Sequence, residues 1–272
     1  MAELIADLKA PVASLGADDL RALAKDGRPR VRAIATREQK RRERAAAEDA
    51  RLEVMLEPER ELWAQGYELI AGVDEAGAGP WAGPVVAGAV ILPRDIVIRR
   101  LDDSKKLSVK LRESLVVEIR ERAIAYGIGS CSPEEIDSIN IKEASRLAMQ
   151  RAVMALHRQP DHLLVDWRQV PGVEMPQVIL VHGDSRSLAI AAASVLAKTH
   201  RDAIMAEMAE KYPGYGFERH VGYGTAEHQK ALVELGICPI HRKSFKPVAR
   251  AAGLNKAHGS QLLLPGAELS CD

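Results

Sequence analysis

Two adjacent carboxylates, Asp74 and Glu75, close an apolar β-like run at residues 69–73 and precede a turn rich in glycine and proline. Successive strand side chains point to opposite faces, so on a half-buried strand these two acids cannot both face water. Either one is turned into the protein, or the strand ends there and both face a shared site. A carboxylate removed from water is unfavourable unless it is paired or bound to a metal. Two further acids follow short apolar runs: Asp166 closes residues 163–165, and Asp184 follows residues 178–181 across His182 and Gly183. Three strand ends therefore each deliver carboxylate, and open α/β sheets build their sites at the carboxyl ends of strands. Such a set suits a site for divalent cations, two of which about 3.5–4 Å apart can stabilise the attacking and leaving oxygens of a displacement. Mg²⁺ and Mn²⁺ prefer oxygen ligands of this kind. The plainer assignments are an acidic turn at Asp74-Glu75 and a helix N-cap at Asp184.

Neighbouring patterns remove rival chemistries. Gly77, Gly79 and Gly83 follow a strand, but Pro80 and Pro84 intervene and a second β-like run, residues 85–92, follows. A dinucleotide-binding loop would open a helix there. No Walker-type G-K-[ST] and no H-E-x-x-H occurs, and the eight histidines are scattered. The glycines instead suit a backbone that approaches something closely.

The stretch GVDEAGAGPWAGPVV, residues 72–86, resembles the signature of the type 2 ribonucleases H (ribonuclease HII), usually written D-E-[AV]-G-R-G-P. Further matches follow in order: Asp103-Ser104-Lys105-Lys106-Leu107, Asn140-Ile141, residues 163–166, Gly183-Asp184-Ser185, residues 197–202, Gly222-Tyr223 and residues 241–245. The resemblance implies an α/β fold, a ribonuclease H-like mixed five-stranded sheet flanked by helices. It implies cleavage of the RNA strand of RNA–DNA hybrids and nicking 5′ of a ribonucleotide embedded in duplex DNA, leaving a 3′-hydroxyl and a 5′-phosphate. By resemblance, Asp74, Glu75, Asp166 and Asp184 correspond to the four acids that hold two Mg²⁺ or Mn²⁺ ions. The same resemblance places Gly77, Ala78 and Gly79 against the ribose, and Tyr223 beside the sugar at the RNA–DNA junction. It makes Ser104, Lys105, Ser185 and Lys198 phosphate contacts and Arg242 and Lys243 a backbone clamp; Lys198 and Arg201 also admit a structural role. Three positions depart from the pattern: Ala78 stands where arginine is usual, and His182 and Val221 where lysine is usual. Each removes a fixed positive charge near the expected groove, which weakens phosphate contacts and their salt dependence. The alternative function is a hybrid or nucleic-acid binding module with weak or altered cleavage.

These residues need a frame. The chain has 272 residues, no net charge, 47% apolar and 28% charged residues, which describes a globular protein whose basic surface must be local. Cys131, Cys238 and Cys271 are far apart and odd in number, and there is no secretory apolar region, so a reducing cytoplasm is expected. No apolar run reaches the roughly 18 residues of a membrane span. Residues 1–66 read as a charged helical extension, residues 67–251 as the catalytic domain ending in a helical segment, and residues 252–272 as a flexible tail. Within the extension a basic block runs from Arg28 to Arg44 and acids follow from Glu48 to Glu61. It suits a solvated helix with charges paired along its face, or an arm that grips substrate. Thr36 with Gln39 suggests a capping box opening a helix over residues 37–56, and Pro58 the start of another. Helices are also expected over residues 109–122, 133–138, 142–157 and up to about residue 211, with a third strand near residues 125–130. The chain is expected to act as a monomer.

Overall fold

A computed structural model describes residues 14–94 and 96–254. The expected tail therefore lies, from residue 255, outside the described residues. Strands β1 (Ile70–Ala76), β2 (Val85–Ile91), β3 (Ala125–Cys131), β4 (His162–Asp166) and β5 (Gln177–Leu180) form one sheet in the order β3-β2-β1-β4-β5. β3, β2 and β1 pair antiparallel, while β1, β4 and β5 run parallel. The sheet is mixed and five-stranded, as expected, and β1 lies at its centre. The apolar residues of β1 and β2 are buried on both faces, which is why these strands read as nearly continuous apolar runs.

Among the described residues, three helices precede the sheet: α1 (Ala17–Leu23), α2 (Pro29–Met55) and α3 (Glu57–Ala64). α2 begins eight residues before the expected start because Pro29 occupies its first turn, so Thr36 is an interior residue and caps nothing. Its surface carries the expected i,i+3 and i,i+4 pairs, Arg41–Glu38, Arg42–Glu38 and Arg51–Glu48. Its last turn is built into the core, where Leu52, Met55 and Leu56 pack with Ile96, Ile98, Leu101 and Leu115. α3 is fastened by Glu59, which is 3% exposed and accepts from Ser187 Oγ at 2.6 Å and from the Ala189 amide at 2.9 Å.

Two long helices sandwich the sheet. α5 (Pro133–Met154) opens with a capping box, Ser132 with Glu135. It breaks at Asn140, whose φ is 67°, so the two helices expected over this stretch meet at a kink. Asn140 Oδ1 caps the second half by accepting from the amides of Lys142 and Glu143. On the other face, α6 (Leu188–Lys211) starts at the Ser187 N-cap and lies almost on the backbone of β1 and β2. A Cβ on Gly72 would sit 2.1 Å from the Ala189 carbonyl carbon, and one on Gly88 2.4 Å from the Ala193 oxygen. The other helices among the described residues are α4 (Val109–Arg122), α7 (Phe217–His220), α8 (Ala226–Leu235) and α9 (Lys246–Ala251). α7 and α8 form a small lobe with its own apolar cluster around Phe217, Tyr215 and Met205.

Candidate active site

The central strand does not end before its acids: β1 runs through Asp74 and Glu75, which pair with Gly88 and Ala87 of β2. Alternation therefore sends the two side chains to opposite faces. Asp74 is turned inward, 4% exposed, and its Oδ1 accepts the Glu75 amide at 2.7 Å. Parallel pairing of β1 with β4 and of β4 with β5 brings Asp166 to the same end of the sheet, where its Oδ1 accepts the Gly183 amide at 2.8 Å. That bond ties the β5 turn to β4. Asp184, 6% exposed, lies in the 3-10 turn Gly183–Ser185, so it is not the N-cap of α6; Ser187 is.

The acids sense one another. Burial first, then the charges of Glu75 and Asp166, holds Asp74 well above the ordinary carboxylate range, against a hydrogen bond from Ser194. Glu75 is pushed up to about 7 by burial and then by Asp166, with Arg168 and Lys105 pulling the other way. Asp184 is raised by burial and by Asp103, opposed by Lys105, whose Nζ stands 3.6 Å from Asp184 Oδ2. Glu75 Oε2 is buried with no hydrogen-bond partner. Mutual repulsion and an orphaned acceptor are what a bound cation would relieve, so this donor set fits Mg²⁺ or Mn²⁺. Among the described residues no three such side chains close into a cage by themselves. An open arrangement suits Mg²⁺, which keeps waters and takes substrate phosphate oxygens into its shell.

The loop after β1 is held from beneath. Arg242, 0% exposed, donates to the carbonyls of Gly77 (2.6 Å), Ala78 (3.0 Å) and Gly83 (2.9 Å). Arg201, 1% exposed, donates to those of Ala82 (3.1 Å) and Pro84 (3.0 Å). Gly77 has φ +90°, and a Cβ there would lie 2.1 Å from Arg201 Nε. Above the loop, Tyr223 is 42% exposed, and a Cβ on Gly79 would be 3.8 Å from its ring. The Arg201 guanidinium lies 6.0 Å from the same ring. The Tyr223 backbone is fixed by a run of buried histidines. The Cys238 amide donates to His241 Nδ1 (2.9 Å), His241 and His228 share a bond between their Nε2 atoms (3.0 Å), and His228 Nδ1 bonds the Tyr223 carbonyl (2.9 Å). For neutral rings one proton order satisfies these three bonds: His241 donates from Nε2 and His228 from Nδ1.

Several expected substrate contacts have other roles. Arg242 cannot be a phosphate clamp, because its guanidinium is buried under the loop. Ser104 is 3% exposed and its Oγ lies 2.9 Å from Ser194 Oγ, so its hydroxyl supports the residue that bonds Asp74. Lys198 is half-buried and donates to Asp202 at 2.7 Å, and Arg112 bonds the same acid at 3.0 Å. The exposed residues Lys105, Ser185 and Lys243 remain open to a ligand. Of the three departures, Ala78 offers its carbonyl to Arg242, and His182 is exposed with φ 57°. Val221, with φ 42°, packs into the small lobe. Sequence reasoning left Arg201 between a phosphate contact and a structural role, of which its bonds to Ala82 and Pro84 support the structural one, and it assigned no role to Ser194 or Arg168. A signal for Arg201 exists: it shares an i,i+4 face with Ala197 and Met205, both buried.

Comparison with known proteins gives the family and the fold. The family model described as Ribonuclease HII matches residues 71–248, and one described as Ribonuclease HII N-terminal domain matches residues 3–63. Ribonuclease HII of Anaeromyxobacter sp. (strain Fw109-5) is 50% identical over 251 residues, 92% of this chain and 79% of that protein. Ribonuclease HII of Geobacillus kaustophilus (strain HTA426) is 50% identical over 246 residues, 90% of this chain and 94% of that protein. The crystal structure of the ribonuclease H2 from Pyrococcus horikoshii OT3 superposes with a TM-score of 0.60 at 25% identity, covering 68% of this chain and 97% of that one. That of Bst-RNase HIII in complex with Mn²⁺ shares the fold, with a TM-score of 0.54 at 16% identity over 70% of this chain and 71% of that one.

Proposed function

Because the chain belongs to the ribonuclease HII family and is thereby a ribonuclease H-type endonuclease, we propose that it hydrolyses the RNA strand of RNA–DNA hybrids and nicks duplex DNA on the 5′ side of an embedded ribonucleotide. The products carry a 3′-hydroxyl and a 5′-phosphate. The observation that carries this reading is the gathering of Asp74, Glu75, Asp166 and Asp184 at one end of the sheet, where burial and then the charges of the other three raise Asp74. These four acids would hold two Mg²⁺ or Mn²⁺ ions, which when bound supply activation of water and stabilisation of the departing 3′-oxygen.

The remaining groups position the substrate. Ser194 keeps Asp74 oriented, and Ser104 keeps Ser194. Lys105, Ser185 and Lys243 meet phosphates. The backbone of Gly77, Ala78 and Gly79 approaches the ribose, with Tyr223 against the neighbouring sugar; no Cβ at Gly79 intervenes. Ala78 brings no charge to that approach, so affinity rests on the other contacts. A monomer working in a reducing cytoplasm completes the proposal, and among the described residues no helix is long and apolar enough to cross a membrane.

The test is incubation with duplex DNA carrying one ribonucleotide, in Mg²⁺ and in Mn²⁺, with EDTA and Asp74→Asn as controls. Metal-dependent nicking 5′ of the ribonucleotide, lost in both controls, is the expected result. Cutting of a long hybrid without nicking at a lone ribonucleotide would overturn the junction specificity and leave the nuclease. Binding without cutting of either substrate would overturn the cleavage itself.

A further inference from the structure

Directly after Asp166 the chain places a large aromatic side chain in water. Trp167 is 59% exposed and adopts φ 63°, a left-handed conformation that bulky L residues avoid. Strain of this kind persists where surrounding structure enforces it, and it gathers at functional sites. Here the enforcing contacts are the Trp167 amide, which reaches the Leu180 carbonyl at 3.4 Å, and the Arg168 amide, bonded to the Asp166 carbonyl at 2.7 Å. The result is a ring beside a catalytic acid, with the Arg168 guanidinium 6.0 Å from its centre. Arg168 also lies near enough to Glu75 to lower its proton affinity. Val181, 54% exposed, and His182 continue the surface from β5, and Arg186 caps it by donating to the Val181 carbonyl.

The sheet order fixes where this patch lies. Tyr223 sits over the loop that joins β1 to β2, on one flank of the acids. Trp167 leaves β4, on the other flank of β1. An exposed aromatic interleaved with arginines is the surface that packs on sugars and meets phosphates. The acids themselves repel a polyanion, so cationic groups must stand close by to hold it.

We propose that Trp167 and Arg168 form a second substrate grip, packing against the sugar–phosphate backbone of the duplex on the side of the scissile bond opposite Tyr223. This rests on the nuclease reading above. Its chemistry is shared between the two residues: the indole supplies apolar contact that salt does not weaken, and the guanidinium supplies one phosphate contact that salt does.

The test is steady-state cleavage of ribonucleotide-containing duplex in Mg²⁺ by wild type, Trp167→Asn, Trp167→Phe and Arg168→Ala, together with thermal unfolding of each. Asparagine tolerates the left-handed backbone, so Trp167→Asn removes the ring while relieving the strain. Its Tm is expected to be equal or higher while KM rises about tenfold with kcat within about twofold. Trp167→Phe is expected to recover most of the loss. Arg168→Ala is expected to flatten the plot of log(kcat/KM) against log salt by about one unit. A KM for Trp167→Asn within about twofold of wild type overturns the grip, and so does a parallel fall in Tm and kcat, which marks a structural residue. Failure of wild type to cleave would overturn the nuclease reading instead.

Discussion

Asp74 and Glu75 are neighbours in the chain whose carboxyls are both raised by burial and then by other acids, because Asp166 reaches both through the sheet and Asp184 reaches Asp74. A carboxyl whose folded pKa lies above its unfolded value binds more protons in the native state. Its contribution to stability is therefore full below the unfolded value and is lost as pH rises through the folded one. For Glu75 that window runs from the ordinary carboxylate range up to about 7. We therefore expect the metal-free protein to lose Tm through this range, Mg²⁺ or Mn²⁺ to restore it more at pH 8 than at pH 5, and Asp74→Asn to raise the metal-free Tm at pH 8. The same variant should lose cleavage by on the order of 10³-fold or more. Thermal scans across pH, with and without metal, and single-turnover kinetics check the three together. A metal-free Tm unmoved by Asp74→Asn would show that repulsion within the cluster is negligible. At this scale the positions of Asp74 and Asp166 on strands were legible in the sequence because each directly follows an apolar run of strand-like composition. Arg242, Ser104 and Lys198 were not, because residue type reveals charge and polarity but not which way a side chain turns. Arg242 reads as a surface cation among Lys243 and Lys246, yet five carbonyls of the preceding loop draw it and Arg201 inside.

The elements differ in how openly they announce themselves. β1, β2 and β4 are apolar enough to be read directly, and Pro133 marks a helix start, whereas α6 is capped by Ser187 and not by Asp184, the cap that the sequence also admits. The start of α2 was misplaced because a capping pattern at Thr36 lies within a sequence that is helix-forming on both sides, so the helix extends back to Pro29. The break at Asn140 was legible only as two separate helices. What no local pattern reveals is the closeness of α6 to the sheet, which depends on Gly72 and Gly88 meeting Ala189 and Ala193 across more than a hundred residues. Gly88→Ala tests that packing. Its Cβ would lie 2.4 Å from the Ala193 carbonyl oxygen, so helix or strand must move. Overpacking of this kind costs about 1–3 kcal/mol, and a domain of this size loses about 2–4 °C of Tm per kcal/mol. Because Gly88 is the register partner of Asp74, and Ser194 follows Ala193, the same shift should lower kcat. A Tm equal to that of wild type would mean that the helix sits further from the sheet than described.

At the scale of the molecule, the helical extension is both a surface and a part of the core. Residues 3–63 match a family domain of their own, yet Leu52, Met55 and Leu56 pack with Leu101 and Leu115, and Glu59 caps α6. Truncation would therefore unsettle the catalytic sheet as well as remove charge. The extension's part in gripping substrate is better read by neutralising Arg37, Lys40 and Arg44, which lie along one side of α2 and have no ion-pair partner among the described residues. If this side meets phosphates, the triple alanine variant should weaken binding and reduce the slope of log K against log salt by about one to three. An unchanged slope in fluorescence titrations would leave it a solvated face. Charge distribution was legible in the sequence, whereas the anchoring of the extension was not, since it rests on contacts between distant segments. The loop from Gly77 to Pro84 is secured on a different principle, through two buried guanidinium groups that would lose five carbonyl partners if it lifted. Such a loop is a socket rather than a lid. Encounter, not rearrangement, then sets the tempo of recognition: stopped-flow association should be single-phased, its rate climbing linearly with substrate and never bending to the plateau that a closing gate imposes.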